Sequence, residues 1–259
     1  MWSVIVSGLA TGALFAATAL VYNVMFSTSK VLSITTGHIA MLGGVFGAYF
    51  ITGRGLPWFV GLLGALLVGA AFGWLTDVLA IRRVLARSDE HLWLLSTLAL
   101  ATMVQQAVAL WWGTEPKPFP RLIPQDFSAG VFDQKFWLPM GIAILMAIGL
   151  ELFYRRTMYG KLFLAMSEDA FAARARGVST DRIRSLSYVI AGAMGALAVG
   201  GLGSNVGALI GGAALGLLNA FSSYYVGGEF QQTISVGLLM LILLLKPEGL
   251  LGSKSIRPV

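Results

Sequence analysis

The 259-residue sequence contains no cysteine. Disulfides, thiolate zinc sites and catalytic cysteines are therefore excluded. Histidine is nearly absent: His38 and His91 stand far apart and cannot by themselves form a metal site. Charge is scarce as well, at 12% of residues, against about 25% in soluble domains. A surface so poor in charge is not built to face water. No G-x-x-x-x-G-K-S/T loop is present, because Gly160-Lys161 is followed by Leu162, and Gly252-Ser253-Lys254 lacks the spacing. The chain cannot cradle ATP phosphates by that route. H-E-x-x-H and G-x-S-x-G are also missing. An enzyme thus has no converging residues to stand on. No charged residue lies clearly in the middle of an apolar run, which argues against a proton pump or voltage sensor.

Apolar residues are abundant, at 57% of the chain, and glycine occurs 32 times without a G-X-Y period. Collagen is excluded by that lack of period. Glycine in an apolar helical chain points to close helix contacts in lipid. A spanning helix needs about 20 apolar residues. Eight candidates fall at roughly 3–24, 31–52, 57–81, 92–112, 136–154, 183–200, 202–224 and 230–246. The first has no Lys or Arg before Lys30 and too long an apolar run for a secretory signal, so a retained spanning helix is expected. The expected fold is an all-α polytopic transmembrane bundle, one domain over residues 1–259, with some segments glycine-rich and the seventh a candidate broken or re-entrant helix.

The formal net charge of +6 is carried by the loops. Arg82, Arg83 and Arg87 separate segments three and four. Arg155, Arg156, Lys161, Arg174, Arg176, Arg182 and Arg184 separate five and six. Both loops are predicted cytoplasmic by the Lys/Arg bias, which leaves the turn-rich stretch 113–135 outside. Parity then conflicts with charge. Three further crossings would leave the C-terminus outside, yet it carries Lys246, Lys254 and Arg257. Either one late segment does not cross or one is missing.

Glycine pairs spaced by four share a helix face. Gly8 and Gly12, Gly43 and Gly47, Gly69 and Gly73, and Gly212 and Gly216 follow that spacing, and Gly203, Gly207 and Gly211 extend it. Helix packing explains this pattern, and a gated path is the alternative. The basic loop contains SEDAFAARARGV, which reads as a short helix. Ser167 is a candidate cap, Glu168 and Asp169 suit its N-terminus, and Gly177 suits its close. Thr180 with Asp181 then starts the next helix. Phe171, Ala172 and Ala175 form a small apolar patch on the short helix. It is either a docking surface for a soluble partner or a solvated loop at the headgroups. Polar residues within the spans include Asn23, Thr35, Thr36, His38, Gln105, Gln106, Asn205 and Asn219. They either hydrogen-bond between helices or line a path. Glu151 and Asp77 lie near span ends and are expected to snorkel outward.

Several stretches resemble the branched-chain amino acid permease family of ABC importers. They are SGLATGALFAATALVYNVMFSTSKVLSITTGHIAMLGGVFGAYF, the loop GTEPKPFP, RRTMYGKLFLAMSEDAFAARARGVSTDRI, GGLGSNVGALIGGAALGLLNA and LLLKPEGLLG. The resemblance implies a multi-pass permease subunit of a bacterial inner membrane, without cofactors of its own. Its implied partners are a second, similar permease, two cytoplasmic ATPases and a periplasmic solute-binding protein, with no nucleic acid. Its implied cargo is leucine, isoleucine and valine, or in relatives other amino acids, urea or short amides. It implies an ATPase-coupling helix comprising Glu168, Asp169, Phe171, Ala172, Ala173 and Gly177. The candidate translocation path comprises Thr35, Thr36, Gly37, His38, Gln105 and Asn205. Two departures stand out. Phe171 replaces the glutamate that usually opens the coupling motif, and the Leu-Pro ending is missing. Also, GAMGALAV at 192–199 runs straight into GGLGSNVG, where relatives place a periplasmic stretch and another apolar half-helix. A missing segment there would agree with the parity conflict and leaves a degenerate, non-transporting copy as an alternative. A secondary transporter or channel is the remaining rival.

Overall fold

A computed structural model describes residues 2–31, 33–85, 92–113, 134–197 and 206–225. Ten α-helices occur among these residues, with no strand. They are α1 (Trp2–Ser29), α2 (Thr36–Ala48), α3 (Trp58–Thr76), α4 (Arg82–Leu85), α5 (Leu92–Trp112), α6 (Gln134–Arg156), α7 (Met158–Glu168), α8 (Ala170–Ala175), α9 (Thr180–Leu197) and α10 (Val206–Tyr225). Two π-helical turns interrupt the regular winding: Tyr49–Gly53 extends α2, and Asp77–Ile81 joins α3 to α4. The expected segment at 230–246, Asn205, His91 and nearly all of the 113–135 loop lie outside the described residues.

Among the described residues, three stretches are long and apolar enough to cross a membrane: Val4–Ser29, Trp58–Val84 and Leu92–Trp112, of 26, 27 and 21 residues. At 1.5 Å per residue, each exceeds the roughly 30 Å of a hydrocarbon core. The molecule is a multi-pass helical membrane protein, and its packing is inverted relative to a soluble bundle. On α3 the buried face is Gly61, Ala65, Gly69, Phe72, Gly73 and Thr76, whereas Trp58, Leu63, Leu67 and Trp74 face outward. Large apolar groups lose nothing by facing lipid. Small residues inside let backbones approach and gain dispersion contacts.

Two seams follow from that rule. A methyl group at Gly73 would run into the Tyr188 carbonyl and the Gly192 Cα, and one at Gly192 would meet Gly69 and Gly73. Here α3 and α9 touch backbone to backbone. Likewise, a methyl at Gly216 would strike Gly12 and the Gly8 carbonyl, so α1 and α10 touch the same way. Gly8, Gly12, Gly43, Gly69, Gly73 and Gly216 therefore lie on packing faces, whereas the surroundings of Gly203, Gly207, Gly211 and Gly212 lie outside the described residues. Gly192, the partner on α9, was not singled out by its spacing.

The contacts also fix direction. Thr28 meets Ser187, 2.5 Å between hydroxyl oxygens, while Gly195 packs beside Val21. Numbers fall on α1 as they rise on α9, so the two are antiparallel. Gly8 lies against Leu217 and Ala220, and Gly12 against Gly216. Hence α10 is antiparallel to α1 as well. The sixth and seventh apolar segments thus run in the same sense. They cannot be two successive full crossings in opposite directions, which is the source of the parity conflict.

The two ends of the bundle differ. At one end, Trp112 packs edge-on to Phe46 and Tyr49, with centroids 5.1 and 6.1 Å apart, as aromatic rings do near a membrane interface. At the other end, Lys30 Nζ donates to the Ser167 carbonyl at 2.5 Å. That end carries Arg82, Arg83, Arg155, Arg156 and the helices α7 and α8.

Candidate functional site

The basic end is built by one continuous stretch. α6 ends at Arg156, and Thr157 caps α7, its hydroxyl accepting from Gly160 N at 2.9 Å. α7 turns Gly160, Phe163 and Met166 inward. Asp169 then starts α8: its Oδ1 accepts from Phe171 N at 2.8 Å and Ala172 N at 3.0 Å. The cap is therefore Asp169 and not Ser167, whose hydroxyl donates to the Leu164 carbonyl within α7. Glu168 belongs to the last turn of α7. Two adjacent acidic residues after a serine suit three cap phases, and the extended backbone at Asp169 selects one. Gly177 closes α8 at φ +85 as expected, a conformation open to glycine and costly for residues with a Cβ.

α8 is a peg with one buried foot. Ala173 is buried in the main core, and Val178 N donates to its carbonyl at 3.1 Å. Phe171 is 82% exposed. Glu168, Asp169, Ala172 and Gly177 are exposed beside it. Phe171 thus presents a bare aromatic ring on a capped helix at the basic end of the bundle.

Behind the peg lies a charged cluster. The Asp77 side chain is fully buried. Arg184 Nε donates to its Oδ1 at 2.8 Å, and Arg82 Nη2 reaches Oδ2 at 3.3 Å. The Ser185 hydroxyl also donates to Oδ2, and Arg82 Nη2 donates to Ser185 Oγ at 2.7 Å. The expectation that Asp77 snorkels is corrected here: besides nearby Arg82, its partners Arg184 and Ser185 come from α9, 107 and 108 residues away, and hold it inside. Glu151 does face outward, paired to Arg155 at 2.5 Å.

The expected path residues separate. Thr35 and Thr36 are buried and locally satisfied: Thr35 Oγ1 lies 2.6 Å from Ser33 Oγ, and Thr36 Oγ1 donates to the Ser33 carbonyl at 3.0 Å. Thr36 Oγ1 also lies 3.6 Å from Met25 Sδ. Between α1 and α9, Tyr188 donates to Ser29 Oγ at 3.2 Å, and Thr28 pairs with Ser187. His38 is half-buried, with Nδ1 enclosed and unpartnered. Gly37 is exposed with open space above it. Gln105 and Gln106 sit on the exposed face of α5, and Asn23 on that of α1, away from these contacts. Asn219 is buried on α10. Ser29, Ser33, Ser187 and Tyr188, which complete these contacts, were missed because isolated hydroxyls carry no spacing signal. A separate cavity of about 480 Å³ lies between α2, α3 and α5, lined by apolar side chains including Leu42, Phe46, Phe72, Trp74 and Trp112. None of the expected polar path residues lines it. Among the described residues, no cluster of His, Asp or Glu is placed to hold a metal.

Residues 4–199 match the family model described as the permease component of the branched-chain amino acid transport system. The chain is 27% identical to the high-affinity branched-chain amino acid transport system permease protein LivH of Escherichia coli, over 98% of this chain and 96% of that one. It is 26% identical to the corresponding BraD protein of Pseudomonas aeruginosa, over 98% and 97%. A probable LivH of Methanocaldococcus jannaschii is 24% identical over 90% of this chain and 87% of its own. The LivH alignment has 299 positions; 98% of 259 residues is about 254, so about 45 positions have no counterpart in this chain. The exposed peg, the basic end and the glycine-sealed bundle now stand beside a match over most of the sequence: the chain belongs to the permease-component family of branched-chain amino acid transport systems.

Proposed function

We propose that this chain is one transmembrane subunit of an ATP-driven importer in a bacterial inner membrane. It pairs with a second, similar permease, takes cargo from a periplasmic binding protein, and is driven by two cytoplasmic ATPases. The cargo is leucine, isoleucine, valine or a similar hydrophobic amino acid. The observation that carries this reading is α8, anchored by buried Ala173 and presenting Phe171 at 82% exposure. The chain has no nucleotide loop of its own, and α8 is the surface through which an outside motor can act. Closure of the ATPases pushes α8 and switches which side of the bundle is open. The relatives' names support the substrate class.

The basic end faces the cytosol by the Lys/Arg bias. α1 then begins outside, and residues 113–135 lie outside. Because α9 and α10 run in the same sense, the two contribute a single net crossing. A return crossing by the apolar segment 230–246 would then bring Lys246, Lys254 and Arg257 to the side that the Lys/Arg bias favours.

The test is purification of an epitope-tagged chain from membranes, with bound proteins identified by mass spectrometry. ATPase subunits are expected in the eluate. Their loss on Phe171→Ala, with membrane insertion intact, supports the role of α8; a tagged chain that retains no ATPase overturns it. A second reading rests on the family match ending at residue 199 and on the missing positions. It is a non-transporting copy that still binds its partners. Uptake of radiolabelled leucine by cells with the intact complex rejects this second reading. Uptake of urea or a short amide in place of leucine keeps the importer and changes its cargo.

A further inference from the structure

Asp77 lies on no expected translocation path and on no docking surface, yet it is the most thoroughly enclosed charge among the described residues. Its carboxylate sits at the start of a π-helical turn, where Arg82 N bonds back to the Asp77 carbonyl five residues earlier. Such turns widen a helix locally and often mark functional positions. Here the turn places Asp77 and Arg82 side by side toward α9, which answers with Arg184 and Ser185. Two helices already sealed by glycine contacts at Gly69, Gly73 and Gly192 thus gain a charged lock at their basic end.

The lock continues into the docking loop. Arg184 Nη2 lies 3.0 Å from Asp181 Oδ1, at an angle too poor for a hydrogen bond. Arg174 Nη2, on α8, donates to Thr180 Oγ1 at 3.1 Å, and Thr180 opens α9. A continuous polar chain therefore runs from α8 through the first turn of α9 to Asp77 on the α3 side. α8 itself is short and meets the bundle chiefly through Ala173.

Resting on the importer reading above, we propose that Asp77 is a positioning residue for transport. With Arg184 and Arg82 it makes α3 and α9 one rigid unit, so that displacement of α8 by the ATPase moves the bundle. Removing the charges leaves the parts assembled and the stroke untransmitted.

The test uses the full complex purified on the tagged chain and the same strain's uptake of radiolabelled leucine. Asp77→Asn strands Arg184 without its anion and is open to misfolding. The decisive variant is therefore Asp77→Leu with Arg184→Met, which removes both buried charges and fills the space with apolar groups, a replacement that buried pairs often tolerate. Arg82, half exposed, then turns to water. The expected result is membrane level and ATPase retention within twofold of native, continued ATP hydrolysis, and uptake reduced at least tenfold. Uptake within twofold of native overturns the proposal. So does a loss of uptake that merely tracks a loss of membrane level or of bound ATPase, since that is a structural role. A native chain that binds no ATPase overturns the importer reading and this proposal with it; the other two outcomes overturn this proposal alone.

Discussion

Along α3 and α9, glycines bring two backbones together, and a buried carboxylate with two arginines closes one end. Along α1 and α10, glycines do the same, but neither helix carries a single charged residue. Dispersion between smooth faces fixes how close two helices lie and says little about their axial register. A buried ion pair adds little net stability, but removing one partner alone is costly because it strands the other charge. The first seam therefore carries a charged contact that the second lacks. The helices also differ in position: α9 follows α8 closely in sequence, and α10 does not.

The comparison can be broken at either seam. Gly73→Leu drives a side chain into the Tyr188 backbone, where nothing flexible can yield and the lock prevents slippage. A loss above about 3 kcal/mol is expected, seen as failure to recover monodisperse protein from membranes. Asp77→Asn should cost about 3 kcal/mol by leaving Arg184 uncompensated, whereas the Asp77→Leu/Arg184→Met pair should cost under about 1 kcal/mol. Thermal unfolding in detergent ranks the two, and equal losses would mean that the pair is not acting as a unit. Gly216→Leu also meets backbone, at Gly12 and Gly8. With no lock on that seam, α10 can shift, and about 1–2 kcal/mol is expected. A loss equal to that of Gly73→Leu would erase the distinction between the seams. Phe171→Ala should change stability by under about 0.5 kcal/mol, since the ring is exposed. It should nonetheless reduce retained ATPase about tenfold, measured by co-purification.

Much of this was legible from residue order. The apolar runs of α1, α3, α5 and α6, the close of α8 at Gly177 and the start of α9 at Thr180 follow from local rules. The packing role of Gly8, Gly12, Gly69 and Gly73 follows from their spacing. The inward or outward face of Gln105 did not follow. In lipid both faces of a helix are apolar, so periodicity no longer separates core from surface. Asp77 was misread for a related reason: near a span end, snorkelling is the cheapest fate for an isolated carboxylate. Only the fold reveals that Arg184 arrives to pair with it. The common direction of α9 and α10 was likewise hidden. Parity counted from charge shows that a crossing is wrong without showing which one, and the contacts of Gly195 and Gly216 with α1 decide it.

The account rests on the end bearing α8 facing the cytosol together with the C-terminus. The chain has no cysteine, so single cysteines can be introduced without background at Phe171, at Ser253 and at Gly130. A membrane-impermeant maleimide added to intact spheroplasts should label position 130 alone, with 171 and 253 reacting only after lysis. Labelling of 171 before lysis would contradict the account.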